Sequence, residues 1–107
     1  MKRISLYKEF GSNMLTRNSL ADFFRRIIDA LEDTDIIIDF ENIKFISRSC
    51  VAEYLKLRER TDKNLAEKNM SKEVMSMFNV VLNQLKNTNF IFRKIPSIGK
   101  LNKAEIN

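Results

Sequence analysis

The stretch IIIDFENIKFISRSCVAEYLKL, residues 36–57, decides how the rest of the chain is read. Ile36, Ile37 and Ile38 form a run of β-branched residues that ends in Asp39 and Phe40. The run does not alternate with polar residues, so it predicts a strand buried on more than one side. A turn and a short extended piece through Phe45 and Ile46 follow. They lead into the polar cluster Ser47-Arg48-Ser49-Cys50. From Arg48 to Thr61 the spacing is helical, with Cys50, Val51, Tyr54 and Leu55 on the inner side and Leu57 beside them. Lys56, Arg58, Glu59 and Arg60 are expected to face water. A strand that runs through a polar loop into a helix is a common place for a site.

The segments before this stretch supply its neighbours. Residues 3–10, RISLYKEF, alternate Ile4 and Leu6 with polar residues and predict a half-buried strand. GSN at 11–13 signals a turn, and Met14-Leu15 is a candidate brief second strand. Leu20, Phe23, Phe24, Ile27, Ile28 and Leu31 fall at i, i+3, i+4, i+7, i+8 and i+11, one stripe on a helical period. Ser19 is the expected cap of that helix, with Asp22 three residues on. A helix feeding a strand of this kind predicts a parallel crossover.

The segments after it continue the pattern. DKNLAEKN, 62–69, suits a short strand by its place between two helices, although only Leu65 and Ala66 are apolar. A third helix starts after Ser71, with Glu73 in its first turn and Val74, Phe78, Val81, Leu82 and Leu85 as its stripe. Residues 89–95, NFIFRKI, predict a last strand stopped by Pro96. The expected fold is therefore one α/β domain over residues 1–107. A four- or five-stranded mixed sheet is expected, with helices mainly on one face and a basic tail from about residue 96.

Composition bounds the chemistry. The 107 residues include no histidine, one cysteine, two glycines and one proline. Histidine-based catalysis and Cys/His zinc sites are therefore excluded, and no internal disulfide is possible. A single cysteine fits a reducing, cytoplasmic setting. The opening residues lack the apolar run of a secretory leader, and no apolar run approaches the length of a membrane span. Neither a glycine-rich phosphate loop nor a base–nucleophile pair is present, so an enzyme is not expected. No cofactor or metal is expected either, although Asp39 stands at a strand end where a carboxylate can bind a metal. Residues 1–60 carry 11 basic and 10 acidic side chains, and residues 61–107 carry 8 and 4. The excess lies in the second half, with Arg93, Lys94, Lys100 and Lys103 close together. Such a tail can bind nucleic acid or an acidic partner, or can simply be solvated.

Ser47 and Ser49 can each cap the helix that follows, by accepting backbone N–H groups. The same helix start beside Arg48 favours a negative group, and the serines are candidate phosphoacceptors. Cys50 reads as a small buried thiol. Met70, Met75 and Met77 read as packing or partner surface.

DIIIDFENIKFISRSCVAEYL resembles the signature of STAS domains, the sulfate-transporter and anti-sigma-factor-antagonist family. In those domains a strand ends in an acid and passes through an F-I-D-S-S-G-L-like loop into a helix. NMSKEVMSMFNVVL resembles the family's next turn and helix. The combination with TRNSLADFF is closest to the STAS-like prokaryotic family of unassigned function. Laid on the loop motif, Phe45 and Ile46 match, Ser47 replaces the acid, and Ser49 matches the second serine. Arg48 takes the place of the phosphorylated serine and Cys50 that of the glycine. The resemblance implies a non-enzymatic regulatory module that binds a protein partner, such as a histidine-kinase-like ATPase of the anti-sigma type. The loop Ser47–Cys50 and the helix residues Glu53, Lys56 and Arg58 would form the partner surface. The alternative is a small nucleic-acid-binding domain that uses the basic C-terminal half.

Overall fold

The computed structural model describes residues 1–11 and 16–87. In chain order they form strand β1 (Lys2–Ser5), helix α1 (Leu6–Phe10), helix α2 (Arg17–Phe23) and a π-helical turn (Phe24–Ile28). Strand β2 (Asp35–Asp39), helix α3 (Arg48–Arg60), strand β3 (Asn64–Lys68) and helix α4 (Lys72–Lys86) complete the order. The expected strand at 89–95, the candidate strand at Met14-Leu15 and the basic tail lie outside the described residues.

The sheet has the order β1-β2-β3, and both pairings are parallel. Among the described residues it therefore has three strands and no antiparallel member, rather than four or five in a mixed sheet. Every strand-to-strand connection passes through a helix, which leaves room for parallel pairing only. The register places Ile4 opposite Ile38, Ile36 opposite Leu65 and Ile38 opposite Glu67. Residues that pair share a face, so these five form one side of the sheet, and all five are buried. Ile37 points the other way and is only half-buried, so β2 is fully packed on one side rather than two.

Local sequence explains most element ends. The expected first strand stops at Ser5, because its hydroxyl accepts the Lys8 N–H and starts α1. Gly11, at φ 77°, turns the chain out of α1 in a conformation that glycine adopts without steric cost. The cap of α2 is Thr16 rather than Ser19. Thr16 and Ser19 form a reciprocal box, with Ser19 in the inner position. Asp22 instead binds Arg25 and Arg26 on the outer surface. Ser71 caps α4 as expected, through the Val74 N–H.

Helix α3 lies between α2 and α4, and its Tyr54 is the hub of the core. The Tyr54 ring meets Phe24 at 5.7 Å, Phe40 at 5.8 Å and Phe78 at 5.6 Å, each edge to face. Such pairs contribute about 0.5–1.5 kcal/mol each beyond area burial. The Tyr54 hydroxyl donates to Glu67 Oε2 at 2.6 Å. Arg58 Nε donates to the same oxygen at 2.7 Å, and its Nη2 donates to Glu67 Oε1 and to the Leu65 carbonyl.

This cluster corrects the expectation for Arg58, which is 7% exposed and not partner-facing. Arg58 is four residues after Tyr54 and seven after Val51, so the helical period carries it to the inner side. There it meets the carboxylate that the register of β3 places on the buried face. Glu59, also expected to face water, is buried as well.

Glu67→Gln would leave the Arg58 guanidinium buried without a counter-charge. It is expected to lower unfolding free energy by about 3–5 kcal/mol. Tyr54→Phe keeps the ring and removes one hydrogen bond to a charged group, at an expected cost of about 1.5–3 kcal/mol. Urea unfolding followed by circular dichroism measures both, and a Glu67→Gln variant as stable as the parent would show that the pair does not hold β3 to α3.

Candidate functional site

The connection from β2 to α3 is built from its first residue. Asp39 Oδ2 takes two bonds from Arg3, Nε at 3.2 Å and Nη2 at 3.1 Å. Its Oδ1 accepts the Glu41 N–H at 2.9 Å and the Asn69 amide at 3.0 Å. Burial pushes the Asp39 carboxyl up, but the bonds from Asn69, Glu41 and Arg3 outweigh it and hold the group below its ordinary range. Asp39 therefore ties the ends of the strands together. Among the described residues, no cluster of three or more acids or cysteines is placed to hold a metal.

Phe40 and Ile43 close the next turn, with the Ile43 N–H on the Phe40 carbonyl at 2.9 Å. Asn42 sits at φ 70° in that turn, and Asn69 at φ 62° after β3. Asparagine takes this left-handed conformation more readily than other side-chain-bearing residues. The two turns face each other across an open cleft of about 710 Å³, lined by Glu41, Lys44, Met70 and Glu73 among others. It lies beyond the carboxyl ends of the parallel strands, where α/β sheets commonly hold ligands.

Past the turn, Ile43 and Ile46 are buried and pin the segment to the core. Phe45 between them is 59% exposed. Ser47 is the cap of α3, and its Oγ accepts the Cys50 N–H at 3.2 Å. The capping reading of this serine therefore holds. Ser49 Oγ is 3.3 Å from Ser47 Oγ, and both Arg48 and Ser49 are exposed. Cys50 is fully buried, and burial, with Glu53 nearby, pushes its thiol up to about 11.

The structure also brings in residues that sequence reading did not connect with this loop. Thr16, Arg17 and Asn18, at the start of α2, line a cavity of about 330 Å³ with Ser47 and Ser49. The starts of α2 and α3 thus open on one place, although about thirty residues separate them. Glu53 and Lys56, expected beside this loop on a partner-facing helix, are half-buried along α3, while Arg58 belongs to the core cluster. The exposure of Phe45 had no signal in the sequence, since simple alternation would pair it with Ile43 and turn Ile46 outward, whereas Ile43 and Ile46 are the two that are buried.

No protein-family model, curated protein or solved structure matches the chain.

Two measurements follow from the two roles at this loop. Ser47→Ala removes a helix cap and is expected to cost about 1 kcal/mol, whereas Ser49→Ala is expected to change stability by less than about 0.5 kcal/mol. Equal losses in urea unfolding would contradict the assignment of the cap. The Cys50 thiol is expected to resist iodoacetamide at pH 8 in the folded protein and to react fully once unfolded. Rapid native labelling, followed by mass spectrometry, would show that the helix start opens.

Proposed function

We propose that this chain is a non-enzymatic, cytoplasmic regulatory module of STAS-like type that binds a protein partner through the loop Phe45–Ser49. One observation carries the reading: Phe45 is largely exposed between two buried isoleucines and stands three residues before the exposed Arg48. Burying an exposed aromatic beside an arginine is the usual source of interface energy, because both groups bring large contact areas to a desolvated centre. The rigid setting supports it further. Ile43, Ile46 and the Ser47 cap hold the loop, so little ordering entropy would be lost on binding.

The absence of histidine from the sequence supports the non-enzymatic reading. The order of strands and helices, with the motif running from β2 into α3, supports the STAS-like one. A histidine-kinase-like ATPase of the anti-sigma type is the proposed partner. In such a pairing Arg48 stands as a fixed positive charge where the family carries its switchable serine. Ser49 is the hydroxyl left for modification, since Ser47 is used as a cap.

Affinity purification with the full chain as bait, followed by identification of the captured proteins, tests the reading. An ATPase of that fold is expected, lost with Phe45→Ala and with Arg48→Glu but retained with Lys86→Glu, at the far end of α4. Undiminished capture by the first two variants would move the interface elsewhere.

A further inference from the structure

Four of the arginines in the described residues are held by carboxylates: Arg3 by Asp39, Arg25 and Arg26 by Asp22, and Arg58 by Glu67. Arg17, Arg48 and Arg60 have no such partner among the described residues. Two of these three stand at helix starts that open on the same cavity. Arg17 is the first residue of α2 and lines the cavity that Ser47 and Ser49 close from the other side. Arg48 lies between those serines as the first residue of α3.

Among the described residues, the other groups lining that cavity are neutral hydroxyls and an amide, with no acid. Along α2 the first carboxylate, Asp22, is already engaged by Arg25 and Arg26. Along α3 the first is Glu53, more than a turn beyond Arg48. Among the described residues the surface is thus locally cationic, and their most exposed aromatic ring, Phe45, stands two residues before Ser47 in the chain.

Resting on the partner reading above, we infer that the surface formed by Phe45, Arg48 and Arg17 receives an acidic segment of the partner, with an apolar side chain packed on Phe45 and carboxylates on the two arginines. Charge complementarity selects the class of occupant. A basic or neutral segment would leave two guanidiniums facing it without counter-charge, and mismatched charge of this kind costs affinity. The apolar anchor separates this occupant from a simple polyanion, since an isolated exposed phenylalanine offers single-stranded bases no continuous stacking platform.

Selection of short peptides from a displayed random library on the full chain tests the inference. Enrichment of sequences with acids flanking an apolar residue is expected. Their binding is expected to weaken at least about tenfold with Arg17→Glu, with Arg48→Glu and with Phe45→Ala. A glutamate at the first position of a helix suits the helix dipole, so the charge-reversed variants are expected to fold, and their thermal unfolding checks it. Enrichment of basic or uncharged sequences, failure to enrich any, or indifference to Arg17→Glu would overturn the inference. A single-stranded oligonucleotide binding as tightly as the peptides, whether or not Phe45 is present, would overturn it too. The two readings fail separately. Partner capture that needs Phe45 and Arg48 but not Arg17 leaves the interface standing and removes the acidic segment, whereas capture that needs none of the three removes both.

Discussion

A carboxylate buried in an apolar layer must be answered by a positive charge and by hydrogen bonds, and Glu67 is answered by Arg58 and Tyr54. The three groups bridge α3 and β3, and Arg58 also reaches the Leu65 carbonyl. No buried side-chain polar atom of the described residues lacks a partner. Satisfied in this way, the cluster specifies one arrangement. Sliding α3 along the sheet, or shifting β3 by one residue, would strand a charge in the core. The aromatic contacts around Tyr54 then extend the same constraint to the π-helical turn after α2, to Phe40 just past β2 and to α4.

The cluster also bears on the surface at the other end of α3. A helix anchored by Tyr54 and Arg58 through its middle and last turns presents its first turn at a defined place. Asp39 performs the matching task for the loop, since it joins the end of β2 to β1 through Arg3 and to the start of the next loop through Asn69. Arg48 and Arg17 thus stand on helix starts, and Phe45 on a loop segment held between the buried Ile43 and Ile46.

Much of this was legible in the residues. The cap at Ser71 and the buried thiol of Cys50 follow from residue type and spacing and stand as expected, whereas the stripe of α2 is kept at Leu20, Phe23, Phe24 and Ile28 but passes at Phe24 into a π-helical turn that leaves Ile27 and Leu31 only partly buried. The misplacement of Arg58 has a definite cause. Charge alone points Arg58 to water, whereas a charged side chain at i+4 from a buried tyrosine goes inside when a counter-charge waits there. Glu67 carried the complementary hint, since the alternation Leu65-Ala66-Glu67 puts it on the face of Leu65. Neither hint was sufficient alone, because the pairing depends on two segments meeting.

Caps, periodicity and composition act over a few residues or none, so the residues alone point to β2, α3, β3 and α4 in that order and exclude histidine chemistry, but give no sign that the first segment breaks at Ser5 into β1 and α1. That the sheet of the described residues is wholly parallel, that a charged pair sits in the core, and that Arg17 stands beside the loop of Ser47 and Ser49 emerges only from the folded arrangement. Those facts depend on strand register and on how helices lie against one another. Contacts distant in the chain set both, and burial favours them only once the segments have met.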